Sequence, residues 1–144
     1  MPSFALPNGD GTITTSASLL EQGALVIFFY PKDETRICTL QACMFRDRYE
    51  DFGEAGAQVV GISDDPPASH NGFRANHQLP FTLLSDIGGA TRKAFGVRNK
   101  LAVLRGRETF VIDRDGIVRS SFRSASDYEG HVISALNVVR RLRG

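Results

Sequence analysis

The two cysteines of this 144-residue chain, Cys38 and Cys43, are the residues with the clearest capacity for chemistry, and both lie in the stretch YPKDETRICTLQAC. Four residues separate them, so the spacing is C-x4-C and differs from the C-x-x-C of dithiol exchangers. In a reducing compartment a close cysteine pair is more often reactive or metal-binding than structural. The pattern therefore predicts a redox or nucleophilic site.

The segments around Cys38 indicate how its sulfur would be activated. Residues 24–30, ALVIFFY, form an apolar run with the length of a strand buried on both faces, and Pro31 ends it. A helical spacing of apolar residues then runs from about 38 to 52. Cys38 is thus expected where a loop enters a helix, where unpaired backbone N–H groups favour a thiolate. The hypothesis requires that solvent reach this sulfur.

Three further residues could complete such a site. Thr35 lies three positions before Cys38, so its hydroxyl could accept a hydrogen bond from a substrate O–H or donate one to sulfur. Pro31 lacks an N–H and has a fixed φ, so we expect it to stiffen the loop and shield the sulfur. Arg107 directly precedes a predicted central strand, and it is better placed than Arg36 to bring a guanidinium to the end of the sheet.

The rest of the chain predicts one α/β domain, residues 1–144, with strands and helices in alternation. Helices between the early strands imply parallel crossovers, and Arg-Asp-Gly at 114–116 indicates a late antiparallel hairpin, so the sheet should be mixed. Strands 24–30 and 109–113 are the most apolar and are expected to be central. The remaining predicted elements are strands 57–62, 81–84 and 117–122, helices 65–77 and 90–95, and a last helix opened by a capping box at 126–129.

Composition excludes several function classes. A net charge of +1 argues against a dedicated nucleic-acid surface, and no run of 18 apolar residues exists to span a membrane. No secretory signal is visible at the N-terminus, so we expect a cytoplasmic protein. The three histidines do not supply the second ligand pair of a structural zinc site, and no nucleotide-binding glycine motif is present; we expect neither a metal nor a cofactor.

The cysteine region also resembles a known family. The motif Pro31-x3-Thr35-x2-Cys38 is similar to the active-site motif of peroxiredoxins, and the run YPKDETRICTLQACMFRD resembles the bacterioferritin comigratory protein, or peroxiredoxin Q, subfamily with two cysteines. Further similar stretches follow in order at 61–86, 94–97 and 107–118, so the resemblance covers nearly the whole chain. It implies a thioredoxin-like fold with peroxiredoxin additions.

The resemblance also implies a reaction cycle. Cys38 would be the peroxidatic cysteine, which attacks hydrogen peroxide or an organic hydroperoxide and becomes a sulfenic acid. Pro31, Thr35 and Arg107 would complete the active site. Cys43 would be the resolving cysteine, and a thioredoxin- or glutaredoxin-type reductant would reduce the resulting disulfide.

Two departures from the family pattern bear on the site. Arg36-Ile37 stand where the family often has Pro-Gly, which reshapes the turn and adds charge near the sulfur. Gln41 stands where the family usually has glutamate, so an ion pair to the active-site arginine becomes a neutral hydrogen bond, weaker by roughly half.

Helix geometry adds a mechanical expectation. Residues five apart on an ideal helix have Cα atoms about 8.7 Å apart, whereas a disulfide needs about 4.4–6.8 Å. Cys38 and Cys43 therefore cannot bond while the helix between them is intact, and the first one or two turns should unwind in each cycle.

Alternatives remain open from sequence. Cys43 could be a core residue, with an external thiol doing the recycling. A thiol–disulfide oxidoreductase, or a non-catalytic binding or holdase protein, could share the fold. The oligomeric state could be a monomer or a weak dimer.

Overall fold

The computed structural model describes residues 1–97 and 107–143. The strands are β1 Ala5–Pro7, β2 Ile13–Thr15, β3 Ala24–Phe29, β4 Ala57–Ser63, β5 Thr82–Ser85, β6 Glu108–Ile112 and β7 Val118–Arg123. The helices are α1 Ser16–Leu20, α2 Arg36–Asp47, α3 Tyr49–Glu54, α4 Pro67–His77, α5 Ala90–Ala94 and α6 Tyr128–Arg143. Among these residues, no helix is both long and apolar enough to cross a membrane.

The main sheet has five strands in the order β5-β4-β3-β6-β7. β3 pairs in parallel with β4, and β4 with β5, whereas β6 runs antiparallel to both β3 and β7. The sheet is therefore mixed, as predicted, and β3 and β6 are both interior strands.

β3 separates two apolar cores. Its side chains alternate, so Val26 and Phe28 pack into one core while Ile27 and Phe29 pack into the other, and all four are almost completely buried. The first core includes side chains from α2, α3, α4 and α6, and the second includes Leu19 of α1. Burial on both faces explains why this strand reads as a continuous apolar run in the sequence.

The antiparallel register of β6 brings two distant parts of the chain to one edge of the sheet. Phe29, the last residue of β3, is opposite Glu108, the first residue of β6. The loop that leaves β3 toward α2 and the residue that precedes β6 therefore lie side by side. That residue is Arg107.

Several boundaries differ from the sequence prediction. The single helix predicted over 38–52 is two helices, because the backbone at Arg48 departs from helical geometry with φ −104° and ψ 9°. α4 begins two residues after Asp65, with Pro66 as N-cap. α6 begins at Tyr128, and the oxygen that accepts from the backbone N–H of Gly130 belongs to Asp127, not to a capping-box Ser126.

The short antiparallel pair β1–β2 and the helix α1 were not predicted. Strands of three residues are too short to show a two-residue period, so the sequence carries no signal for them. Thr15 caps α1 by accepting a hydrogen bond from the backbone N–H of Ser18.

Candidate active site

Cys38 and Arg107 meet at the edge of the sheet. Cys38 lies in the first turn of α2, and the Nη2 of Arg107 donates a hydrogen bond to its Sγ at 3.2 Å. The first backbone bond of α2 runs from the N–H of Thr39 to the carbonyl of Thr35, so the N–H groups of the turn before it have no partner within the helix. A sulfur in this position therefore lies beside a guanidinium and the positive end of a helix.

Gln41 is the second partner of Arg107. Its Oε1 accepts from Nη1 of Arg107 at 2.6 Å, so the neutral bond expected from the sequence is present. The amide nitrogen of Gln41 is buried without a hydrogen-bond partner in the part of the chain that the structure describes. Arg107 is itself 7% exposed, and its three described acceptors are a sulfur, an amide oxygen and a carbonyl. Among these acceptors the Cys38 sulfur alone can carry a full negative charge.

Thr35 and Pro31 occupy the loop before Cys38. Thr35 is the N-cap residue of α2, and its hydroxyl donates to the carbonyl of Lys32 at 2.8 Å. The hydroxyl hydrogen is thus already used in this bond. Only the lone pairs of the hydroxyl oxygen are left to accept a hydrogen bond from a substrate. Of the two roles predicted for Thr35, donation to sulfur is not made, and acceptance from a substrate O–H is left. Pro31 is exposed, so it does not form a buried shield.

Cys38 is less accessible than the sequence hypothesis requires. Its side chain belongs to one of the two apolar cores, and the residue is only 1% exposed. The expectation of a solvent-reachable sulfur is therefore wrong for this conformation. Its chain neighbours Thr35 and Arg36, in and beside the first turn of α2, are by contrast exposed.

Cys43 lies on the same helix as Cys38, in the interior of α2. It is half-buried, and both cysteines are free thiols. Because α2 is continuous from Arg36 to Asp47, the ideal-helix separation of about 8.7 Å applies to their Cα atoms and is too long for a disulfide.

A buried polar network anchors the loop between β3 and α2, and sequence reasoning missed it. The Asp33 carboxylate accepts from the Tyr30 hydroxyl at 2.5 Å and from the Ser69 hydroxyl at 2.7 Å, and it lies 2.8 Å from Nδ1 of His70. The Nε2 of His70 donates to the carbonyl of Leu84 at 2.9 Å. The network therefore ties the loop to α4 and to β5.

The pKa shifts of this network agree with its hydrogen bonds. Burial acts to raise the pKa of Asp33, but hydrogen bonds from His70, Tyr30 and Ser69 outweigh it and lower the pKa below its ordinary value. Burial, together with the neighbouring Asp33 charge, raises the pKa of Tyr30 well above its ordinary value. Asp33 is thus a carboxylate and Tyr30 a neutral donor at neutral pH.

Asp33, Asp65 and His70 include residue types that bind metals, and their ligand atoms lie within 4.8 Å of one another. These atoms already have partners in the protein. Asp65 accepts from the backbone N–H of Asp33 at 2.7 Å and from the Ser63 hydroxyl at 2.8 Å. The three side chains are therefore already hydrogen-bonded within the protein.

Glu34 provides a second anchor for the loop. Its backbone is left-handed, with φ 62°, which is uncommon for a residue other than glycine. The Glu34 carboxylate accepts from Asn76 at 2.7 Å and is 2.7 Å from Nε2 of His77, both near the end of α4. These hydrogen bonds lower the pKa of Glu34. His70 and His77, both on α4, therefore also hold the loop between β3 and α2 in place.

Comparison with known proteins identifies the family of this chain. Residues 1–121 match the AhpC/TSA family. The chain belongs to the AhpC/TSA family. It is 46% identical over 142 residues to a chloroplastic peroxiredoxin Q of Populus jackii, covering 98% of this chain and 66% of that protein. The chain thus spans slightly less than two thirds of that relative's length.

Two solved structures are similar over almost the whole chain. The crystal structure of peroxidoxin BcpB from Mycobacterium tuberculosis has a TM-score of 0.92 at 37% identity, covering 100% of this chain and 96% of that one. A Xanthomonas campestris bacterioferritin comigratory protein, described for its alkyl peroxide reduction activity, has a TM-score of 0.86 at 31% identity, covering 98% and 92%. The resemblance to the peroxiredoxin Q group and the thioredoxin-like α/β fold are thereby confirmed.

Proposed function

We propose that this chain is a thiol peroxidase that reduces hydrogen peroxide and organic hydroperoxides. The observation that carries the proposal is the 3.2 Å contact between Nη2 of Arg107 and Sγ of Cys38 in the first turn of a helix. A buried guanidinium without a carboxylate partner among the described residues is stabilised by a nearby anion, and in the proposed reaction the Cys38 thiolate is that anion. The alkyl peroxide activity described for the similar Xanthomonas protein supports the same reaction class.

In the proposed first step, the Cys38 thiolate attacks one oxygen of the peroxide. The O–O bond breaks, sulfur is oxidised to the sulfenic acid, and the other oxygen leaves as water or an alcohol after taking up a proton. Arg107 stabilises charge on the leaving oxygen, and the free lone pairs of Thr35 accept from the peroxide O–H. Because Cys38 is covered, the peroxide enters when the first turn of α2 moves aside.

In the second step, the Cys43 thiol attacks the Cys38 sulfenic acid. A disulfide forms and water is released. A dithiol reductant of the thioredoxin or glutaredoxin type then reduces this disulfide by exchange. We include in the proposal a reducing, cytoplasmic location and a monomer or weak dimer, with no nucleic acid, membrane, metal or cofactor taking part.

Three proteins assayed side by side test the function: the wild type, Cys38→Ser and Cys43→Ser, each with a thioredoxin system and hydrogen peroxide. We expect continuous peroxide consumption by the wild type and none by Cys38→Ser. Cys43→Ser should consume about one equivalent and then stop, because its sulfenic acid has no partner.

Other outcomes identify the alternatives. Reduction of a protein disulfide substrate without any peroxide consumption would indicate a thiol–disulfide oxidoreductase. No turnover of either substrate would indicate a binding or holdase protein. Sustained turnover by Cys43→Ser would show that an external thiol, and not Cys43, resolves the sulfenic acid.

A further inference from the structure

Among the described residues, the His131 ring has two hydrogen-bond partners, Ser124 and Thr109, and the Cys38 sulfur is not one of them. His131 is completely buried on α6, and its Nε2 is 2.8 Å from the carbonyl oxygen of Ser124. A carbonyl can only accept, so Nε2 carries a hydrogen. The other ring nitrogen, Nδ1, is 2.8 Å from the hydroxyl of Thr109 on β6.

The tautomer of His131 follows from these two partners. Burial lowers the pKa of His131, and the nearby positive charge of Arg107 lowers it further, although the Ser124 carbonyl and Asp127 act in the opposite direction. The ring is therefore neutral at neutral pH. With hydrogen on Nε2, the Nδ1 atom accepts from the Thr109 hydroxyl.

The turn that His131 holds is the turn that orients Arg107. Ser124 and Ala125 are the first two residues of the 124–127 turn between β7 and α6, and the Nε of Arg107 donates to the carbonyl of Ala125 at 2.9 Å. His131 fixes the adjacent carbonyl, and Thr109, two residues after Arg107, fixes His131. These contacts link the start of β6 to the turn, the turn to α6, and α6 back to β6.

We infer that His131 is a positioning residue for the peroxide reaction, which it serves by holding the Ser124–Ala125 turn so that the Arg107 guanidinium points at Cys38. With Nε of Arg107 bound to Ala125, the planar guanidinium keeps Nη1 on Gln41 and Nη2 on the sulfur. The inference rests on the proposed function. It assigns a role to a residue that touches neither sulfur nor substrate.

The test separates positioning from simple folding by comparing two reactions of the same sulfur. Peroxide reduction needs an aligned guanidinium, whereas alkylation by iodoacetamide needs only a thiolate and access. The chain has no tryptophan, so both rates are measured by rapid quenching and mass spectrometry, with Cys43 replaced by serine in every protein so that Cys38 is the single thiol. The informative quantity is the ratio of the peroxide rate constant to the alkylation rate constant.

We expect His131→Phe, which keeps a ring against Phe122 but loses both hydrogen bonds, to lower this ratio by about tenfold, since small misplacements of catalytic groups cost up to about 100-fold. His131→Gln, which can still donate to Ser124, should recover most of the ratio. An unchanged ratio in a folded His131→Phe protein would overturn the inference. If the wild type itself did not reduce peroxide, the proposed function would be overturned instead.

Thr109→Val provides a milder variant that decides the question if His131→Phe does not fold. Without the Thr109 hydroxyl, Nδ1 of His131 loses its hydrogen-bond partner on β6, while the contact of Nε2 with the Ser124 carbonyl remains. The ring and the turn that it holds are then linked to β6 less firmly.

We therefore expect the rate ratio of Thr109→Val to be lower than in the wild type, by less than the loss of about tenfold expected for His131→Phe. The matched control is Thr91→Val, another buried threonine, which should keep the wild-type ratio. An unchanged rate ratio in Thr109→Val would contradict the inference.

Discussion

At the scale of single residues, the site combines side chains whose roles can be read from local sequence with others whose roles cannot. Cys38 and Arg107 were predicted from their positions beside a strand end, and the structure brings them together at 3.2 Å. Asp33 and His131 were not predicted as site residues, because their partners are distant in sequence. A histidine beside the apolar positions 132, 135 and 136 of the last helix was the available signal.

Asp33 gives a prediction at this scale. Asp33→Asn replaces a buried carboxylate that accepts from Tyr30 and Ser69 and faces His70. We expect a loss of about 1–3 kcal/mol in the free energy of unfolding at pH 7, measured by urea denaturation. The exposed Asp10→Asn is the control and should change stability by less than about 0.5 kcal/mol.

The pH dependence of this loss follows from the lowered pKa of Asp33. A carboxyl whose pKa is lower in the folded state stabilises the protein above its unfolded value of about 3.9, and this contribution disappears as the pH falls through the folded value. The stability difference between wild type and Asp33→Asn should therefore be constant near neutrality and narrow below about pH 4. A stability difference that stays constant below about pH 4 would contradict the assignment of Asp33 as a carboxylate with a lowered pKa.

At the scale of elements, α2 cannot keep one conformation through the proposed cycle. As an intact helix it presents Cys38 to Arg107, and its continuity keeps Cys43 too far away for a disulfide. The separate helix α3 was missed because apolar Tyr49 and Phe52 continue the helical spacing across Arg48, so the break is a tertiary effect that periodicity does not record.

The prediction at this scale concerns unwinding. Amide hydrogen exchange of the oxidised wild type should be faster than that of the reduced protein in peptides from 36–47, because the disulfide requires the first turns of α2 to open. Peptides from α4 should be unchanged. In Cys43→Ser treated with one equivalent of peroxide, α2 should keep its protection. Equal protection of α2 in both redox states of the wild type would show that the disulfide forms without unwinding.

At the scale of the whole molecule, the sequence predicts the apolar strands and the late hairpin well, because burial on both faces of β3 and the turn at 114–116 leave local signals. The fit between neighbouring strands leaves no such signal. At Gly61 of β4, an added Cβ would lie 2.7 Å from Leu83 and 2.8 Å from Phe28, on the strands to either side. The central sheet is therefore packed without space for a methyl group at this point.

Gly61→Ala should consequently destabilise the protein by about 1–3 kcal/mol through overpacking, as measured by urea denaturation. Gly72→Ala is a matched control of opposite sign. Gly72 lies within α4, and a Cβ there would meet nothing within 4 Å. Its replacement should stabilise the helix by about 0.5–1 kcal/mol. An unchanged free energy of unfolding in Gly61→Ala would mean that the neighbouring side chains move to make space for the added methyl group.

The register that sets Phe29 opposite Glu108 has a consequence for how the protein is made. Arg107 follows Cys38 by 69 residues, so the ribosome adds the cysteine long before its guanidinium partner exists. During that interval the thiol lacks this cationic neighbour. The arrangement on which the proposed chemistry depends is therefore assembled only when the C-terminal third of the polypeptide has docked.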